Sequence, residues 1–255
     1  MSTTSPADSL VELAARKQLP HHQYTDPATV RWITANRPVF SDGPPPRLRK
    51  TSQSLLSCSA IPAGWLAEAK CLDSLHGIRH AMRTAALAAL LAESAGLSED
   101  DTATLVLAAA VHDCRRLHDK DDRGHGARSA IWLTDNADTV WPHFGVIATP
   151  SRIATAATAV RLHDVPYDAF TEDDHADHTR AEVICDLLKA ADALDRYRLP
   201  KLSWWPDPTQ VRSDGFSALR TTAFELVVRS ETAWLAGASS AEAVFTGLAH
   251  LGLMG

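Results

Sequence analysis

The chain has 255 residues, 45% of them hydrophobic, and a formal net charge of −6, enough apolar content for one large core or one domain with extensions. The acidic balance gives no reason to expect a nucleic acid polymer or an anionic membrane as partner; an anionic small substrate would need a local positive site, from a metal or from arginines. No apolar run approaches the roughly 20 residues needed to cross a bilayer. The opening MSTTSPADSL lacks a basic stretch followed by an apolar core, and the four cysteines, Cys58, Cys71, Cys114 and Cys185, form no CxxC pair and so suggest free thiols. The expectation is a cytoplasmic protein.

Residues 1–64 read as a partly irregular N-terminal extension. Residues 9–16 suit a short helix, and 27–36 a second one with Asp26 as N-cap and Pro27 at its first position. Pro38 and the run Gly43-Pro44-Pro45-Pro46 break regular structure. Arg47, Arg49 and Lys50 form a small basic cluster, either a solvated loop or an arm that contacts an anion.

From about Trp65 to the end the pattern is that of one helical domain. Residues 81–95 are rich in Ala and Leu and stop at Gly96, a residue suited to a helix C-terminus. Ser98 followed by Glu99, Asp100 and Asp101 starts the next helix, with acids where the helix dipole favours them. It is expected to run to about Arg116 through the stretch TLVLAAAVHDCRR, where an apolar run turns abruptly into His112-Asp113. A charged loop follows, then a helix over 127–134, a connection over 135–149, and an Ala-rich helix over 151–163 with Ile153, Ala156, Ala157 and Val160 at helical spacing. After a polar loop, 179–194 reads as an amphipathic helix. Residues 199–214, with three prolines and the pair Trp204-Trp205, read as an irregular cover over the core; alternatively the tryptophans stack on a base. Residues 216–235 and 240–251 close the chain as two helices. No strand alternation is evident, so the fold class is all-α.

Histidine and aspartate recur at the ends of these helices beside apolar runs: His80, His112-Asp113, His125, His163 and Asp192. Such ends converge when helices pack on a common core. Imidazoles and carboxylates without thiolates suit Mn²⁺, Fe²⁺, Co²⁺ or Ni²⁺, with Mg²⁺ or Zn²⁺ also admitted. Asp195 stands three residues after Asp192, on the same helix face, where it would orient an arginine or a ligand histidine. His76, His118, His143, His175 and His178 lie near polar loops, at the surface or behind the ligands.

The order His80, His112-Asp113, Asp192 resembles the metal-binding signature of the HD-domain metal-dependent phosphohydrolases. The flanking segments LHGIRHAMRTA (75–85), LAAAVHDCRRLHD (107–119), DRGHGARSA (122–130), AVRLHD (159–164) and KAADALDRYRLP (189–200) are similar to the corresponding parts of bacterial members. The likeness spans about 65–202.

The resemblance implies an HD-domain-like helical bundle with a site made by His80, His112, Asp113 and Asp192. His125 and His163 match the extra histidines that hold a second metal in some members, giving one or two ions; His125 is alternatively a substrate-contacting or proton-relaying group. The implied activity is hydrolysis of a phosphate ester of a nucleotide or similar small phosphorylated metabolite by metal-activated hydroxide, with Asp113 and His125 as catalytic groups. Arginines would neutralise the phosphate: Arg83, Arg116 and Arg128 first, then Arg196. Two other readings stand beside this one: a dinuclear-iron oxygenase, since some members of the superfamily use such a site, and a catalytically inactive binding module.

Overall fold

The computed structural model describes residues 8–40 and 45–254; residues 1–7 and the Gly43-Pro44 break lie outside the described residues. Among the described residues the architecture is all-α. Helices α1 (Leu10–Ala15), α2 (Pro27–Ala35) and α3 (Lys50–Ser57) precede α4 (Ile78–Ala95), α5 (Glu99–Val111), α6 (His125–Asp135), α7 (Ala137–His143), α8 (Pro150–Leu162), α9 (Glu172–Leu194), α10 (Arg220–Leu235) and α11 (Ser240–His250), with short 3-10 turns between them. No helix is long and apolar enough to cross a membrane among the described residues.

Helices α4 and α5 form the centre, packed on each other and on α9, with α8 against α5 and α9. Both are buried on every side over most of their length, as expected where the apolar surface runs all the way round a helix. The many alanines along them, such as Ala85, Ala86, Ala88, Ala89, Ala108 and Ala109, are essentially inaccessible. Small side chains at a helix contact let the axes approach closely, so the polar ends of these helices meet at one point. Around this centre, α10 and α11 cover α4, and α6 packs on α8.

Several expectations are corrected at the ends of elements. Helix α5 stops at Val111, not at Arg116, because His112 turns its ring back onto the carbonyl of Ala109 and the chain continues in turns. The connection over 135–149 contains α7. Helix α9 begins seven residues earlier than its apolar pattern suggests: Thr171 and Asp174 make a reciprocal capping box, and Glu172, Asp173 and Asp174 occupy the first turn. A break at Ala181, φ −130° and ψ 21°, separates that polar opening from the buried part.

Residues 8–40 and 45–64 carry more regular structure than their composition suggests. Asp26 caps α2 through the amides of Ala28 and Thr29, and Ile33, Leu48, Leu55, Leu56 and Ile61 join the main core. Arg49 of the basic cluster pairs with Glu93 at the far end of α4 from His80 and donates to Thr102 Oγ1 at 2.9 Å. It is a packing contact, not an arm over an anion.

Candidate metal centre

The first turn of α4 carries His80, the C-terminus of α5 carries His112-Asp113, the start of α6 carries His125, the end of α8 carries His163, and the last turn of α9 carries Asp192. The fold brings all six together. His80 Nε2 lies 3.0 Å from His112 Nε2, and His125 Nε2 lies 3.1 Å from His163 Nε2. Asp113 sits between the two pairs. Its Oδ1 faces His125 Nε2 at 2.9 Å and His163 Nε2 at 3.4 Å, while Oδ2 faces His80 Nε2 at 3.6 Å and His112 Nε2 at 3.9 Å. Asp192 Oδ1 closes the first pair, 3.3 Å from His80 Nε2.

The opposite ring nitrogens explain why these atoms converge. His112 Nδ1 donates to Ala109 O, His163 Nδ1 to Val160 O and His125 Nδ1 to Asp122 O, each at 2.7 Å and each three residues back along the chain. His80 Nδ1 donates to Asp195 Oδ2 at 2.8 Å. Carbonyl and carboxylate oxygens only accept, so all four Nδ1 atoms carry the proton and a neutral ring keeps a lone pair on Nε2. A hydrogen bond across either histidine pair would then require a buried imidazolium. A metal cation satisfies both lone pairs at once, and an Nδ1–H held by an oxygen is the usual backing of a metal-ligating imidazole.

Two further observations fit a cation. Asp113 Oδ1 is buried and makes no hydrogen bond, although two imidazoles stand beside it. Burial alone would raise the Asp113 carboxyl, but Arg116 and His125 hold it well below the usual carboxylate range. Burial pushes the His112 imidazole down to about 3, so it remains a neutral donor. The donor atoms of His80, His112 and Asp192, and those of His112, Asp113 and His163, lie within 4.8 Å of one another. Imidazole and carboxylate groups in these numbers fit a divalent transition metal.

The loop before α6 depends on glycine. Gly124 has φ +75°, a left-handed conformation that leads directly into His125. A Cβ on Gly126 would stand 2.7 Å from Asp164 Oδ1 and 2.8 Å from Val160 O, so only glycine lets α6 approach the His163 end of α8.

Asp195 contacts both kinds of partner expected of it, a histidine and an arginine. Besides His80 it binds Arg83, whose Nε and Nη2 reach its two oxygens at 2.6 and 3.0 Å. Arg83 continues to Glu231 on α10, which also receives Arg79. Arg83 is thus fully buried in an ion-pair chain behind His80 and does not line the cavity, contrary to its expected substrate role. Its place one helical turn after His80 turns it toward α10. Arg128 is likewise not at the cavity: it binds Asp122 and the carbonyl of Arg115. Trp205 donates to Leu199 O and packs edge-on against Trp32 and Tyr197, as a core cover; neither tryptophan lines the cavity.

A cavity of about 320 Å³ opens onto Asp113, His125, His163 and Asp192. Arg116 and Arg196 line it. Lys189 and Arg198 also line it, and neither was singled out from the sequence. Lys189 is held by the carbonyls of His163 and Val165, and Arg198 by the carbonyl of Leu75. His76, expected at the surface or behind the ligands, reaches the rim. Asp119 fixes it, accepting from His76 Nδ1 at 2.8 Å, from Ser74 and from the amide of Gln23 in the N-terminal segment. Lone arginines and lysines in a charged sequence carry no spacing signal. The one hint was that Arg198 follows Asp195 by three residues.

No protein-family model, no curated protein and no solved structure matches this chain.

Proposed function

We propose that the chain is a metal-dependent phosphohydrolase that cleaves a phosphate ester of a nucleotide or a similar small phosphorylated metabolite. The observation that carries this reading is a cluster of four Nδ1-committed imidazoles and two carboxylates, of which His125, His163, Asp113 and Asp192 line a cavity with a cationic rim. The resemblance of His80, His112-Asp113 and Asp192 to the HD-domain signature supports it independently. His80, His112, Asp113 and Asp192 would hold one ion, and His125 and His163, sharing Asp113, a second. A bound divalent ion lowers the pKa of water and polarises a phosphoryl oxygen.

The chain's own residues supply the rest. Arg116, Arg198, Lys189 and Arg196 draw the anionic substrate in and offset the charge that develops at phosphorus. Asp164 Oδ2, 3.2 Å from His125 Nδ1, helps to fix that ring. His76, fixed by Asp119, presents an imidazole to the same cavity.

The second reading, a dinuclear-iron oxygenase, is favoured by the fact that all six ligands converge; the cationic lining weighs toward phosphate. Metal analysis of the purified protein, followed by a phosphate-release screen over a panel of nucleotides and sugar phosphates, decides. Divalent-metal-dependent phosphate release is the expected result. Two tightly bound irons per chain with oxygen consumption and no phosphate release would replace the proposal with the oxygenase. Failure to bind any divalent metal would favour an inactive binding module.

A further inference from the structure

We propose that Arg198 is the residue by which this site selects the doubly charged phosphate of a monoester over the singly charged phosphate of a diester. The inference deepens the phosphohydrolase reading and rests on it.

Arg198 ends the 3-10 turn Asp195–Arg198 that follows α9. It is 3% exposed, yet it lines the cavity. Its Nε donates to Leu75 O at 2.8 Å, which fixes the plane of the guanidinium. Nη2 comes within 3.5 Å of His80 Nε2, so the fork reaches the edge of the metal ligands. Nη1 is 3.5 Å from Asp195 Oδ2 but makes no hydrogen bond, and it is one of three buried side-chain polar atoms in that condition among the described residues. Arg83 is taken by Asp195 and Glu231, and Arg116 by the carbonyls of His118 and Lys120.

Nη1 is inaccessible and faces the buried Asp195, so an anion meets Arg198 at the part of the guanidinium that lines the cavity, and a hydrogen bond between charged partners there is stronger than a neutral one. The charge of the surroundings indicates which anion. The cavity is lined by four cationic side chains, Arg116, Lys189, Arg196 and Arg198, against three carboxylates, Asp113, Asp164 and Asp192. A divalent ion adds to that excess. A phosphodiester offers two unesterified oxygens that share one negative charge. A monoester offers three that share up to two charges. The additional oxygen and the additional charge are what a fixed guanidinium at the cavity wall beside His80 recognises, and the planar fork suits phosphate oxygens.

The test uses the full chain loaded with Mn²⁺, together with the variants Arg198→Lys and Arg198→Gln. Binding of inorganic phosphate is measured by calorimetry. Hydrolysis of p-nitrophenyl phosphate and of bis(p-nitrophenyl) phosphate is measured beside it. Phosphate binding is expected to weaken by about 10- to 100-fold in both variants, with the manganese content unchanged. The wild-type preference for the monoester is expected to shrink by a similar factor, through the monoester's KM. Unchanged phosphate affinity in the variants overturns the proposal, as does an equal loss on both esters. If Arg198→Gln does not fold, Arg198→Lys, which keeps a cation in place, carries the same test alone. If wild-type protein hydrolyses neither ester while phosphate affinity still falls in the variants, the phosphohydrolase reading fails and the Arg198 anion site stands. If phosphate does not bind the loaded wild type at all, the Arg198 site fails too.

Discussion

The two halves of the histidine cluster differ in how His80, on one side, and His125 and His163, on the other, are held, His112 being backed by a carbonyl as the latter two are. His80 is inaccessible, and a chain of buried charges holds it from behind: Asp195, Arg83, Glu231 and Arg79, ending where Arg79 stacks on Trp234 of α10 and bonds Ser240 of α11. His125 and His163 have no such chain. Backbone carbonyls three residues earlier orient both, and both sit beside the cavity. One half is tied to the global fold through side chains contributed by the last two helices. The other half is a local product of helix ends. Damage to the first half should therefore spread into stability, whereas damage to the second should stay within the site.

Asp113 belongs to both halves, and its loss should produce the largest effect. Asp113→Ala is expected to abolish metal-dependent turnover, by more than the roughly 10- to 100-fold that removal of an outer supporting partner costs, while circular dichroism stays native. Unchanged activity would sink the assignment of the centre. Next is Asp195→Ala, which leaves Arg83 beside a missing carboxylate inside the core. Removing one partner of a buried pair costs about 3–5 kcal/mol, so the urea midpoint should drop sharply. His163→Ala is the matching change in the local half. It should lower the metal content measured by elemental analysis and move the urea midpoint of the metal-free protein much less than Asp195→Ala does. Equal destabilisation by the two variants would erase the distinction between the halves.

A pH series sharpens the same contrast. In the metal-free protein burial pushes His112 down to about 3, against an ordinary value of 6.5. Between those values the unfolded chain binds the proton that the folded chain excludes, so stability is lost as pH falls from about 6.5 toward 3. Burial would raise the Asp195 carboxyl, but Arg83 and His80 hold it at about 2, which adds a second loss below about pH 4. Urea midpoints of chelator-treated protein should decline steadily from pH 7 to pH 5, and a flat series would contradict the buried neutral imidazole. The smallest effect is expected from Trp204→Ala. The ring does not line the cavity, so phosphate release should change by no more than about twofold.

Much of this was legible in the chain before folding was considered. The helix ends at Gly96, Ser98 and Asp26 follow from local capping chemistry, and the recurrence of His or Asp at element ends marked all six groups that converge. The repetition of Val111-His112-Asp113 in Leu162-His163-Asp164 is local too, since each ring turns back onto a carbonyl three residues earlier. Helix α3 and the early start of α9 escaped notice because their stabilisation is polar or tertiary, where hydrophobic periodicity has no purchase.

The sequence by itself determined an all-α chain and the identity of the groups at its centre, because helix propensity, capping and the chemistry of imidazole and carboxylate are properties of short segments. Only the tertiary structure decided which arginines face the cavity. Arg83 and Arg198 are equally cationic, and each stands three residues after a member of the expected site, His80 and Asp195. One is consumed by Asp195 and Glu231, and the other is held by the carbonyl of Leu75 at the cavity wall. A long flexible side chain takes its role from the partners it can reach, and those partners come from helices more than a hundred residues away.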